Sequence, residues 1–133
     1  MSDDQLTQTM HASMPLTATL GVEALAAAGE EVTVRLPWRE ELCTAGGLMH
    51  GGALMALADS AGGFCAFLNL PEGAKGTATI ESKTNMLRGL KQGAATATAR
   101  PLHVGSRTIV IETELAGDDG RLVAKTTQTQ AVL

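Results

Sequence analysis

Between His50 and Pro71 the chain carries one formally charged side chain, Asp59, in a run made mostly of Ala, Leu, Met, Phe and Gly. Burying an ionised carboxylate without a partner costs several kcal/mol. Perturbed carboxylates in apolar clefts concentrate where protons are transferred or a nucleophile attacks. A plainer reading is a helix that exposes one stripe and turns Asp59 to water. Met55, Ala56, Gly62 and Gly63, its neighbours at helical spacing, provide no polar stripe to share that surface. The expectation is therefore a buried, chemically used acid.

A second cluster surrounds His50. In GGLMHGG the backbone is nearly bare of side chains and runs into a helix start, where unpaired N–H groups and the positive end of the dipole face outward. Such a terminus holds an anion or a developing oxyanion; the alternative is a flexible glycine-capped loop. Gly62 and Gly63 stand in mid-helix, where each costs about 0.8 to 1.0 kcal/mol relative to Ala. Close approach of another backbone, from a strand of this chain or the same helix of a second copy, would offset that. His11 and His103 are remote from His50, with no HxxxH spacing, so no metal site is expected. No GxSxG, Walker or GxGxxG pattern occurs, and Ser60 and Cys65 lack a local activating base, which removes nucleophilic triads and leaves Cys65 as packing.

The elements that must position these groups follow from periodicity. Residues 1–14 suit an N-terminal helix or arm closed by Pro15, and residues 15–133 a single domain. Alternation over Thr19–Leu25 (Leu20, Val22, Ala24) and again at Val32, Val34 and Leu36 predicts two half-buried strands in a hairpin. The segment 50–70, too long for a strand and apolar on nearly every face, predicts a central helix of about five turns. Four strands follow, over 76–88, 94–104, 107–116 and 121–133. The first is expected to set Ala78, Ile80, Ser82, Thr84 and Met86 on one face, with Thr77, Thr79, Glu81 and Lys83 on the other. The last two are joined by a turn at Asp119-Gly120. Short connections exclude parallel crossovers. The fold class is α+β, an antiparallel sheet packed on one helix.

Composition narrows the function classes. The 133 residues are enough for one self-supporting core. Aromatics are 2%, with no Tyr, which argues against stacking on nucleobases. A net charge of -4 argues against a phosphate-binding footprint, so no nucleic acid partner is expected. Two cysteines without CxxC spacing support no disulfide framework. The start MSDDQLTQTMHASM has neither a basic region nor an apolar run, and His50, Asp59 and glycines interrupt residues 42–70. A cytoplasmic protein without a membrane partner is expected.

The motif HGGALMALAD, preceded by GGLM and followed by TIESKTNMLRGL, resembles the acyl-CoA thioesterases of the hotdog fold. The likeness is closest to the PaaI-like group of phenylacetyl-CoA and aryl-CoA thioesterases, over residues 15–133. The resemblance implies a curved antiparallel sheet around a long helix and hydrolysis of an acyl-CoA with a medium-chain or aromatic acyl group. It needs no cofactor beyond the substrate's own CoA. It implies Asp59 as general base or nucleophile, the Gly51 amide as oxyanion donor, His50 lining the acyl carbonyl and Thr79 supporting the attacking group. Gly52 and Thr44 fall within the matched substrate site. Thr44 stands where many relatives carry an Asn that places the water; Thr44, Cys43 and Thr79 are the candidates to replace it. Gly89 replaces a frequent Pro after Arg88.

Arg88, Lys91 and Arg107 are expected to steer the CoA phosphates. Leu48, Met49, Met55, Phe64 and Met86 are expected to shape the acyl pocket. The alternative class is a non-catalytic acyl-CoA-binding module, against which the intact acid at position 59 argues. On one straight helix Gly51 and Asp59 stand about 12 Å apart at 1.5 Å per residue. The expected assembly is therefore a homodimer or homotetramer with active sites shared between subunits.

Overall fold

The computed structural model describes residues 1–133. Asp3 opens α1 (Asp4–Ser13) by accepting from the Leu6 amide. Met10 on this helix is buried in the main core, and the His11 ring meets the Val22 carbonyl at 2.7 Å, so the helix is docked on the domain. Pro15 does not simply close it. Pro15 occupies the first turn of α2 (Pro15–Leu20), where its fixed φ suits a helix and its missing N–H is no loss.

Residues 19 and 20 are thus helical, against the expected strand from Thr19. Gly21, at φ 83°, ends α2 in the left-handed region, and its amide meets the carbonyls of Thr17 and Ala18. Extended chain begins beyond it, as β1 (Glu23–Ala28), and a tight turn leads antiparallel into β2 (Glu31–Pro37). The alternation at Leu20, Val22 and Ala24 spans two different elements.

Helix α3 (Gly51–Phe67) is followed by β3 (Thr77–Met86), β4 (Ala94–Val104), β5 (Thr108–Ala116) and β6 (Leu122–Val132). One six-stranded antiparallel sheet results, in the order β1-β2-β4-β5-β6-β3. It wraps α3, which touches every strand from β2 to β6. Small inward residues on β4, Ala95, Ala97 and Ala99, let the helix lie close over the middle of the sheet. Gly120 turns β5 into β6 at φ 79°. No helix is long and apolar enough to cross a membrane.

Cys65 lies on the buried face of α3, and burial pushes its thiol from 9.0 up to about 11. It is therefore protonated and unreactive near neutral pH, in keeping with a packing role. Because the folded value is raised, stability is complete below about pH 9 and falls as pH rises through about 11. The loss approaches roughly 2 to 3 kcal/mol at 1.36 kcal/mol per unit. Denaturant titrations from about pH 8 to pH 11 should show Cys65→Ala with a shallower decline than wild type; equal slopes would remove this thiol as the cause.

Candidate active site

His50 is extended and caps α3: its Nδ1 accepts the Gly52 amide at 2.7 Å, and its carbonyl accepts the Ala53 and Leu54 amides. Neutral His50 in this arrangement carries its proton on the exposed Nε2. Gly52 therefore has no free amide to offer a substrate. The Gly51 N–H has no acceptor within the chain and is the open donor at the helix start. A side chain at Gly51 would press on the Met86 methyl.

Asp59 lies further along the same helix, on the face the sheet leaves uncovered. The expected burial is not found: Asp59 is exposed in the single chain, as are Met55, a turn before it, and Phe67, two turns after it. The sheet covers one side of α3 and leaves an apolar stripe open on the other. Within this stripe the carboxylate is partnered on one oxygen only. Thr79 Oγ1 donates to Oδ1 at 2.9 Å and Gln128 Nε2 donates to the same atom at 3.0 Å, which leaves Oδ2 unpartnered.

Thr79 reaches Asp59 because the expected regular alternation of β3 breaks. Thr79 pairs with Gln130 and Glu81 with Thr129, so Ile80 is a bulge without a partner in the register. Directly paired residues share a face. Thr79, with Gln130, therefore shares the helix-facing side with Ser82, Thr84 and Met86, whose partners are Gln128, Thr126 and Ala124. A strictly alternating strand would have turned it away.

Gln128 and Gln130 were not among the residues singled out in the sequence. The run KTTQTQ is polar on both faces, and only its phase from Ala124 marks 126, 128 and 130 as inward. Gly62 is explained by the same side chain. What approaches it is the Gln128 carboxamide and not another backbone; a Cβ at Gly62 would collide with Gln128 Oε1. Gly63 faces open space.

Asp59 opens into a cleft of about 900 Å³ between α3, the start of β3 and the first two helices. Phe64, Phe67, Met10, Met14 and Leu16 supply its apolar wall. Of the other residues expected to shape an acyl pocket, Met49 is buried in the core, Met55 and Met86 are exposed, and Leu48 lines a separate groove. That groove, about 870 Å³, also holds Arg88 and Lys91. It adjoins the start of α3, since the Met49 amide bonds the Leu90 carbonyl at 2.8 Å. Gly89 leaves room there for Leu48.

Thr44 is exposed in the loop ahead of α3, and the Cys43 thiol is directed to the Arg39 carbonyl. Neither bonds Asp59. Arg88 and Arg107 are not brought together: their backbones bond Val123 and Val132, at opposite ends of β6 and about 30 Å apart. No three His, Cys, Asp or Glu side chains are grouped where they could hold a metal ion.

Comparison with known proteins places the fold. The thioesterase superfamily profile matches residues 46–124, more than half the chain. A crystal structure of a Pseudomonas aeruginosa thioesterase superposes with a TM-score of 0.88 at 32% identity, covering 96% of this chain and 93% of that one. A Haemophilus influenzae thioesterase gives 0.88 at 25% identity, with 98% and 89% covered. The 1,4-dihydroxy-2-naphthoyl-CoA hydrolase of Escherichia coli is 36% identical over 65% of this chain and 63% of its own length. With its six-stranded antiparallel sheet wrapped on one long helix, the chain belongs to the thioesterase superfamily of the hotdog fold, whose members hydrolyse thioesters.

Proposed function

We propose that this protein hydrolyses cytoplasmic acyl-CoA thioesters bearing a medium-chain or aromatic acyl group, releasing the free acid and CoA. The observation that carries the reading is a carboxylate at an apolar cleft with one oxygen fastened and the other free. A thioester has a good leaving group, so its hydrolysis needs a base or nucleophile and stabilisation of one oxyanion. Asp59 Oδ2 takes the first role. The Gly51 amide, at the positive end of α3, takes the second, with the outward Nε2–H of His50 beside the same carbonyl. Thr79, with one hydroxyl hydrogen and two lone pairs, serves Asp59 and the attacking water.

Gly51 and Asp59 lie on one continuous helix about 12 Å apart, so the reading includes a second copy that brings its Gly51 to this Asp59. Two features support that assembly. Strand β3 is an unpaired sheet edge, and apolar side chains on it and on α3, including Ile80 at 62% exposure, lie open in the single chain. The test of activity is thiol release across CoA thioesters graded in chain length and aromatic character. Turnover concentrated in the medium-chain or aromatic members supports the reading, and no release from any of them would refute it.

Arg88 and Lys91 have no carboxylate within ion-pair distance and stand beside the start of α3, so they are the cations for the CoA phosphates in this reading. Exposed charge pairs are worth about 0.2 to 1 kcal/mol. Arg88→Ala should therefore raise KM for a CoA thioester up to about 5-fold at low salt, with kcat unchanged. A thioester lacking phosphates should show no change; an equal rise for both substrates would sink the steering role.

A further inference from the structure

Gln128 is wholly buried on β6, and its carboxamide spends both hydrogens: Nε2 donates to Asp59 Oδ1 at 3.0 Å and to Gln130 Oε1 at 2.9 Å. Turning the amide over would set its oxygen against two acceptors, so the network fixes its orientation. Its Oε1 is consequently buried without a donor, which folded proteins seldom tolerate. That oxygen lies against Gly62, a residue that weakens the helix it belongs to. Two separate costs thus meet at one place, and the contact they jointly permit is the one to the carboxylate.

Thr79 is a less constant partner. Its single hydroxyl hydrogen faces two acceptors, Asp59 Oδ1 at 2.9 Å and Gln130 Oε1 at 2.6 Å, and serves one at a time. The Gln128 hydrogen on Asp59 has no competing acceptor. Gln130 braces the arrangement by donating to Thr77 Oγ1 at 3.2 Å.

We propose that Gln128, seated in the notch left by Gly62, is a positioning residue that holds Oδ1 of Asp59 and so presents Oδ2 as the reactive oxygen. This rests on the reading of Asp59 as the acid of thioester hydrolysis. Gln128 touches neither substrate nor water; it acts through Asp59. Its loss therefore lowers kcat and leaves KM nearly unchanged.

The test uses Gln128→Met, which keeps length and removes the donor, alone and combined with Asp59→Asn, in the full chain with fold and assembly verified. A hydrogen bond to a charged group corresponds to roughly 10- to 100-fold in rate. The expected result is a fall of that size in kcat with KM within about 2-fold, and no further fall in the Asp59→Asn background. Equal factors in both backgrounds, or wild-type kcat in Gln128→Met, would overturn the proposal. Gly62→Ala gives a second route: it introduces the better helix former yet displaces the amide, and should lower kcat similarly; full activity there would also overturn it. Full turnover by Asp59→Asn alone would instead remove the reading of Asp59 on which the proposal stands.

Discussion

Asp59→Asn is expected to reduce thioester hydrolysis by about 10² or more, in the range of 10² to 10⁴ that a positioned base contributes. The network makes this a clean substitution. Gln128 donates to Oδ1 whichever way the Thr79 hydroxyl turns, so it selects the orientation in which the new side chain keeps its carbonyl oxygen there. The amide NH2 then replaces Oδ2, the only part that changes. It accepts no proton and attacks no carbonyl. Asp59 is exposed in the single chain, so folding should be little affected. Circular dichroism, assembly state and thiol release measured on the same preparation separate chemistry from unfolding. A folded, active Asn variant would show that this acid is not the base or nucleophile.

Complementation between two inactive variants should restore about a quarter of wild-type activity. Gly51→Pro removes the amide hydrogen at the first position of α3, where proline fits a helix start. The preceding residue already has the extended conformation that proline requires, with His50 at φ -60° and ψ 134°. The Cβ of the new residue would press on the flexible end of Met86. Each homodimer, of Gly51→Pro or of Asp59→Asn, should be nearly inactive. A mixed dimer carries one site lacking both groups and one with both intact, and random pairing makes half the dimers mixed. Activity recovered on co-expression, in proportion to verified mixed dimers, is the expected outcome. Mixed dimers without recovery would reject shared sites, as would full activity in a monomer.

Much of this arrangement is legible in the residues. The segment 50–70 is too long and too apolar to be anything but a helix inside a sheet, and the alternating runs after residue 94 predict β4, β5 and β6 nearly to their ends. Asp59 is conspicuous as a lone charge. What escapes is whatever depends on phase. Leu20, Val22 and Ala24 alternate by coincidence across a helix end, and only the backbone of Gly21 marks the break. Thr79 acquires its inward face from an unpaired residue that alternation does not register. Gln128 and Gln130 lie in a strand polar on both sides, where the hydrophobic signal that sets orientation is missing. The exposure of Asp59 escapes for another reason: an apolar stripe reads the same whether its cover comes from this chain or from a second one.

The notch at Gly62 also bears on how such a chain can vary. A side chain at position 62 and a long amide at position 128 exclude each other in space, although they are far apart in sequence. Position 62 cannot enlarge unless the Gln128 amide moves or shortens, whereas position 128 can shorten beside Gly62 without a clash. A larger residue at position 62 is therefore expected only together with a shorter side chain at position 128.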